Sequence, residues 1–220
     1  MSTQPTHPLI EKVRRSLGRT APLATPPVPP AIDEPVARLV HSDIGLGDLF
    51  IKRAAAMKMI ATPIRVDDLL ADIAAFLRER QCSRVMLSDT PLLTKLGVVS
   101  YLKSQGFDAR PWAEITPDEA YDFDAGITDC DYAVAETGSL VIKHCPEHGR
   151  LISLVPFLHI AVVEPKNFLP DLIDLFERLG KEGVGGGVTM ISGPSKTADI
   201  EMNVVTGVHG PNVVKAYVLQ

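Results

Sequence analysis

The stretch RVMLSDTPLLTKLGVVSYLKSQGFDARPW, from Arg84 to Trp112, predicts a strand, a helix and a second strand. The apolar run from Arg84 to Ser88 is typical of a buried strand. Thr90-Pro91 then supplies a cap and a first-turn proline, and Gly106 ends the helix before a short strand at 108–112. This order favours an α/β domain with a partly parallel sheet.

The sequence before this stretch predicts helices at 48–61 and 67–80. The second helix carries an apolar stripe at a period of 3.6, formed by Leu69, Leu70, Ile73, Phe76 and Leu77. A short polar helix at 8–18 is followed by six prolines between residues 19 and 35. Proline fixes φ and removes amide donors, so we expect an extended arm, either a solvated linker or a segment that contacts a partner or covers a site. Residues 1–35 are therefore assigned to an N-terminal helix and proline-rich arm, and residues 36–220 to the compact domain.

After this stretch, strands are predicted in quick succession at 132–136, 139–143, 151–155 and 159–163. Their connections are too short for crossover helices, so some pairs must be antiparallel. A helix at 170–179, a strand at 188–192, a helix that begins at 195–197 and a final strand at 213–219 restore the alternation. The predicted fold is α/β, with a mixed parallel and antiparallel sheet flanked by helices.

The composition of the 220 residues is that of a globular protein, with 45% hydrophobic and 22% charged residues. A net charge of −5 and a pI of about 5.7 disfavour binding to duplex nucleic acid or anionic membranes. No apolar run approaches the roughly 20 residues of a membrane span, and no secretory leader is expected. Cys82, Cys130 and Cys145 form no CxxC motif, so no disulfide framework, zinc ribbon or iron–sulfur ligand set is expected. These features predict a reduced, soluble protein of the cytoplasm that binds no metal.

The first candidate site is the turn Glu136-Thr137-Gly138-Ser139, which lies between two apolar strands. Gly138 can adopt positive φ in a tight turn. Glu136 ends an apolar strand, where a carboxylate is costly to bury unless it is paired. These residues are also those of an ordinary hairpin turn, so both interpretations stay open.

The second candidate site follows the strand that ends at Ser192, in the segment Gly193-Pro-Ser-Lys-Thr197. Free amides at the start of the expected helix would attract an anion, with Ser195, Lys196 and Thr197 as additional donors. Such a site suits a carboxylate or a phosphate, and Asp199 would cap the helix or pair with a cation. The segment fits neither a Walker A loop nor a dinucleotide fingerprint. The alternative is a well-capped helix after a buried strand.

The histidines give three weaker indications. His144, Cys145 and His148 lie close together in a polar loop, which favours a surface loop over a metal site because no fourth ligand is evident. His159 is the first residue of a predicted strand, a position typical of a hydrogen-bonded histidine at the edge of the core. His209 lies in the glycine-flanked segment 207–211, next to Gly210, where its ring could move a proton near neutral pH.

Four segments in this order resemble the LUD domain family, in its branch of lactate utilization C proteins: 132–142, 150–160, 193–201 and 207–211. The resemblance covers about residues 40–220 and leaves out the proline-rich arm. It implies a fold like that of NagB, RpiA and the CoA transferases. It also implies a role in oxidising L-lactate to pyruvate beside two iron–sulfur partner proteins, which would carry the clusters because this chain has no cysteine cluster.

The preferred hypothesis is an accessory or ligand-binding subunit of a lactate-oxidising system. Its carboxylate-binding residues would be Ser192, Gly193, Ser195, Lys196 and Thr197, with Glu136 and Thr137 on the opposite wall and His209 near the substrate hydroxyl. An independent enzyme acting on an acyl-CoA or a sugar phosphate is the second hypothesis. In CoA transferases of this fold a glutamate is the covalent nucleophile, so Glu136 would be the residue to test. A non-catalytic sensor of an organic acid is the third.

Overall fold

The computed structural model describes residues 7–19, 28, 30, 31, 38, 40, 45–198, 204–207 and 209–220. The chain divides into two compact units, residues 1–37 and 38–220. In the first unit, α1 (Pro8–Ser16) confirms the predicted N-terminal helix, and the amide of Leu9 donates to Nδ1 of His7 at 3.2 Å. Most of the predicted proline-rich arm lies outside the described residues. Among the described residues, no helix combines the length and the hydrophobicity needed to cross a bilayer.

The second unit is built around a six-stranded sheet in which all neighbouring strands are parallel. In spatial order its strands are β1 (Ile60–Ile64), β12 (Val213–Leu219), β7 (Leu158–Val163), β4 (Ala125–Asp129), β2 (Arg84–Leu87) and β3 (Asp108–Pro111). Central parallel strands are covered on both faces, so they are apolar along their whole length. β7 shows this pattern, because all six of its residues are buried.

Helices cover both faces of this sheet. The described helices of the unit are α2 (Leu46–Ala56), α3 (Val66–Glu79), α4 (Pro91–Leu96), α5 (Val98–Ser104), α6 (Arg150–Leu154) and α7 (Leu172–Glu182), with 3-10 turns at Trp112–Glu114, Glu119–Asp122 and Pro165–Asn167. The predicted stripe of α3 is confirmed, since Leu69, Ile73 and Leu77 are fully buried in the core beneath α4 and α5. Phe50 of α2 is fully buried in a separate core that includes alternate residues of β7 and β12.

A second sheet makes the fold mixed, as predicted. Its order is β8 (Phe168–Leu169), β5 (Tyr132–Val134), β6 (Ser139–Lys143) and β9 (Val188–Ile191). The β5–β6 and β6–β9 pairs are antiparallel, whereas β5–β8 is parallel. Leu175 and Leu179 of α7 pack against this sheet.

Two predicted elements are wrong, and a third ends earlier than predicted. Residues 151–155 form no strand; most of this apolar segment belongs to α6, because a short apolar run does not by itself distinguish a strand from a buried helical turn. The helix expected from 195–197 is absent. Instead β10 (Lys196–Ala198) pairs antiparallel with β11 (Val204–Thr206), whose β-branched residues favour a strand. The helix predicted at 48–61 ends at Ala56, and β1 follows it.

Two further differences concern elements that the patterns did not resolve. The helix expected from Thr90 to Gly106 is broken at Gly97, whose φ of +69° ends α4 and starts α5. Strand β4 was not predicted, although it lies at the centre of the sheet between β7 and β2. This strand, which the sequence did not predict, matters for function because its last residue, Asp129, lines a cavity at the edge of the sheet.

Candidate functional site

The two motifs singled out in the sequence meet in a cluster of three hydroxyl groups. Thr137 Oγ1 donates to Ser139 Oγ at 2.7 Å, and Ser139 Oγ lies 2.6 Å from Ser192 Oγ. Ser139 is buried, whereas Ser192 is exposed. The cluster therefore runs from the protein interior to the surface, and we call Thr137, Ser139 and Ser192 the hydroxyl cluster.

The glycines beside the hydroxyl cluster allow close contact with the end of α2. A Cβ at Gly138 would lie 2.3 Å from the amide nitrogen of Ala54, and one at Gly193 would lie 2.3 Å from the carbonyl oxygen of Met57. Both glycines also have positive φ, of 65° and 107°. Lys196 Nζ donates to the same Met57 oxygen at 3.2 Å. The ammonium group thus caps the negative end of α2.

The helix whose N-terminus was predicted to hold an anion is absent, because β10 replaces it. The amide of Ser195 donates to the carbonyl of Pro211 at 2.9 Å, and the carbonyl of Ser195 accepts from the amide of Gly207 at 2.9 Å. These backbone groups are therefore already paired. Thr197 lies in β10, and Asp199 falls outside the described residues.

The remaining predicted residues lie near these motifs without joining the hydroxyl cluster. The amide of half-buried Glu136 donates to the carbonyl of Pro170 at 3.0 Å. Gly210 packs beside Ser195, since a Cβ on Gly210 would lie 3.1 Å from that of Ser195. His209 is exposed. Among the described residues, no side-chain hydrogen bond links Glu136 or His209 to the hydroxyl cluster.

A cavity of about 590 Å³ lies at the carboxyl ends of the parallel strands. Its walls include Thr90 in the loop after β2, Asp129 at the end of β4 and Glu164 directly after β7. The loop after β6 and the segment after α7 complete them. Ligands of open α/β sheets bind at this edge, because loops from several strands converge there. We call this space the carboxyl-edge cavity.

Among the described residues, four buried side-chain atoms at the carboxyl-edge cavity have no hydrogen-bond partner: Thr90 Oγ1, Asp129 Oδ1, His144 Nδ1 and His148 Nε2. The Asp129 and His148 atoms lie 3.0 Å apart, but they are not aligned as a hydrogen bond. Thr90 is the N-cap residue of α4, yet its hydroxyl makes no capping bond. Buried polar atoms are nearly always paired, so four unpaired atoms on one cavity make it a candidate ligand site.

Two further histidines lie near these residues. His159 is fully buried, and its Nε2 lies 2.9 Å from Thr128 Oγ1. Burial, with a smaller contribution from the nearby His148, lowers the pKa of His159 to about 3, so its ring is neutral at physiological pH. His144 Nε2 lies 2.7 Å from Thr189 Oγ1, and burial lowers the pKa of His144 as well.

Sequence reasoning placed His148 in a surface loop, but its side chain is only 6% exposed. The amide of Asp89 donates to the carbonyl of Glu147 at 3.0 Å, which holds this loop against the end of β2. Asp129 was missed because β4 was missed. Thr90 lies three residues after β2, a strand that was predicted correctly, and this position was the available signal. Among the described residues, no group of three or more His, Cys, Asp or Glu side chains could hold a metal ion.

Comparison with known proteins identifies the family of the second unit, residues 38–220. Residues 47–219, which include nearly all of the second unit, match the family model of the LUD domain. The chain belongs to the LUD domain family. The match spans both the hydroxyl cluster and the carboxyl-edge cavity, and it confirms the resemblance noted in the sequence.

Relatives of known name cover most of this LUD protein. A lactate utilization protein C of Halalkalibacterium halodurans is 30% identical over 178 residues, which span 78% of this chain and 77% of that protein. One from an Exiguobacterium species is 30% identical over 225 residues, spanning 96% and 93%. A crystal structure of a DUF162 family protein from Deinococcus radiodurans shares the fold, with a TM-score of 0.61 and 22% identity over 82% of this chain and 99% of that one.

Proposed function

We propose that this LUD protein is a subunit of a lactate utilization system, in which L-lactate is oxidised to pyruvate and partner proteins carry the iron–sulfur clusters. The observation that supports this role most directly is the similarity to lactate utilization protein C, which extends over more than nine tenths of both chains for the Exiguobacterium relative. Similarity over nearly the whole length carries more weight than a shared fold, because one fold hosts many functions.

The positions of the cysteines support placing the clusters on partners. Iron–sulfur clusters are held by several thiolates at close range. Cys82 and Cys130 are buried in two different hydrophobic cores, and Cys145 lies in a surface loop. Burial also raises the pKa of the Cys130 thiol well above its usual value, which disfavours the thiolate that a metal needs.

The contribution proposed for this subunit is to bind the small organic acid. Ser192 is the exposed member of the hydroxyl cluster, and Lys196 is also exposed. Both side chains can donate to a carboxylate, with Glu136 and Thr137 on one side. Binding would require Lys196 to exchange the Met57 carbonyl for the ligand. Because Lys196 is solvent-exposed, the exchange costs little. His209, on the nearby exposed loop, would orient the substrate hydroxyl.

Affinity purification from lactate-grown cells of the source organism tests the subunit role. The tagged chain should bring down iron–sulfur proteins, with iron in the eluate, and the complex should oxidise L-lactate. A parallel purification from cells grown without lactate controls for adventitious contacts. Recovery of the chain alone and without iron from lactate-grown cells would contradict the role.

A lysine variant tests the acid-binding proposal. Lys196→Ala should weaken binding of L-lactate, pyruvate or phosphate by about tenfold, since it removes one charge-assisted hydrogen bond. Lys103→Ala, at an exposed position of α5, is the matched control and should bind as the wild type does. Calorimetry on the assembled complex provides the measurement. Equal affinity in the two variants would contradict this binding site.

A further inference from the structure

The carboxyl-edge cavity has a specific hydrogen-bonding requirement. Asp129 Oδ1 can only accept when ionised, and His148 Nε2, when it carries a proton, can only donate. The two atoms lie 3.0 Å apart, which is ion-pair distance, but neither makes a hydrogen bond to the other or to another described group. A hydroxyl group fits this arrangement, because it donates to one atom and accepts from the other at once.

Thr90 adds a second contact point. Its unpaired Oγ1 belongs to a residue that is only 7% exposed, and it borders the same cavity. A ligand that reaches both Thr90 and the Asp129–His148 pair therefore needs at least two polar atoms. The volume of about 590 Å³ lies within the range of small-molecule sites.

The charges around the cavity select against anions. The acidic residues that line it are Asp129, Asp131, Glu164 and Glu182, and the lysines are Lys143 and Lys166. Each lysine is paired with a glutamate, Lys143 with Glu182 at 3.0 Å and Lys166 with Glu164 at 2.8 Å. The lowered pKa of His144 keeps that ring uncharged at neutral pH. The carboxylates that line the cavity therefore outnumber the lysines by two, and Asp129 lies 3.0 Å from His148.

We infer that the carboxyl-edge cavity is a ligand site for an uncharged molecule with several hydroxyl groups, such as a sugar or a polyol. One hydroxyl lies between Asp129 and His148, and another polar atom bonds to Thr90. The hydroxyl cluster lies at the opposite end of β6, because Ser139 begins this strand and Lys143, which lines the cavity, ends it. A failure of the lactate role would therefore leave the cavity site unaffected.

The single tryptophan of the chain reports on this site. A Cβ at Gly149 would lie 2.2 Å from the Trp112 ring, so the indole packs directly against the residue after His148. Binding at His148 should change the fluorescence of Trp112. Glycerol, D-ribose and myo-inositol serve as uncharged probes, L-lactate serves as the charged comparison, and calorimetry provides a second readout.

At least one uncharged probe should give a saturable change in fluorescence and a heat of binding. Thr90→Val should weaken that binding by about tenfold, and it should fold normally because it removes a hydroxyl with no partner in the protein. Asp129→Asn is a second variant of equal size with the same expected effect. Lys196→Ala should bind the probe as the wild type does, which separates this site from the proposed acid site.

Three results would overturn the inference. The first is the absence of saturable binding for all three uncharged probes in both measurements. The second is equal affinity of a bound probe for the wild type, Thr90→Val and Asp129→Asn. The third is binding of L-lactate alone with loss of that binding in Thr90→Val, which would assign the cavity to an acid.

Discussion

The side-chain oxygens of Ser139 and Ser192 lie 2.6 Å apart, although 53 positions separate the two serines in the sequence. The antiparallel register of β6 and β9 brings them together. Leu140 pairs with Ile191, so Ser139, which precedes Leu140, lies opposite Ser192, which follows Ile191. A shift of register by one residue would reverse the faces of β9 and separate the two hydroxyls. The hydroxyl cluster thus depends on one strand pairing.

Replacing Ser139 should destabilise the protein more than replacing Ser192. Ser139 is buried and bonds to two hydroxyls, so Ser139→Ala should lower the free energy of unfolding by about 1–2 kcal/mol. Ser192 is exposed, and Ser192→Ala should cost less than about 0.5 kcal/mol. Urea denaturation of the two variants measures the difference. Equal destabilisation by the two variants would show that the burial of Ser139 adds nothing to the stability of the protein.

Gly126 in the central strand β4 should tolerate no side chain. A Cβ there would lie 1.8 Å from the carbonyl oxygen of Ile152, a backbone atom of α6 that cannot move without displacing the helix. Gly126→Ala should therefore lower the free energy of unfolding by about 3 kcal/mol or more. The matched control is Gly180→Ala in α7, where nothing lies within 4 Å of the new Cβ. It should raise stability by about 0.5–1 kcal/mol, as thermal unfolding would show.

Local signals in the sequence were sufficient for most of the fold. The stripe of α3 and the apolar run of β2 predicted both elements, because each pattern depends on the periodicity of one segment. The same signal could not distinguish α6 from a strand. The segment of α6 makes a tertiary contact, in which the carbonyl of Ile152 packs against Gly126 of β4. No local sequence pattern contains such a contact.

The candidate sites show the same limit. The sequence identified the motifs around Ser139 and Ser192, but it could not predict their contact, which needs the register of two strands. The carboxyl-edge cavity was missed because Asp129 ends β4, whereas His148 comes from a separate loop. Their proximity depends on β4 lying beside β7 and on the backbone bond between Asp89 and Glu147.

The carboxylate of Asp72 on α3 should make stability depend on pH below its usual pKa. The hydroxyl of the fully buried Tyr217 donates to this carboxylate, and Lys215 Nζ lies 3.1 Å from it. The hydrogen bond from Tyr217, followed by the bond and charge of Lys215, lowers the pKa of Asp72 below 3.8 despite some desolvation. In Asp72→Asn the side chain keeps its size and an acceptor but loses the charge. Because the Asp72 side chain is 48% exposed, solvent screens the interaction, and the loss at neutral pH should be only about 1 kcal/mol.

The pH dependence of the Asp72→Asn effect identifies its cause. A carboxyl with a lowered pKa in the folded state stabilises the protein above pH 3.8, and this stabilisation is lost as the pH falls through the folded-state value. The difference in unfolding free energy between the wild type and Asp72→Asn should therefore be constant near neutral pH and shrink below pH 3.8. Tyr217→Phe removes the main donor, so in that background Asp72→Asn should have a smaller effect. Urea titrations across this pH range measure all four proteins, and a difference that persists unchanged in acid would exclude the charge of Asp72 as its source.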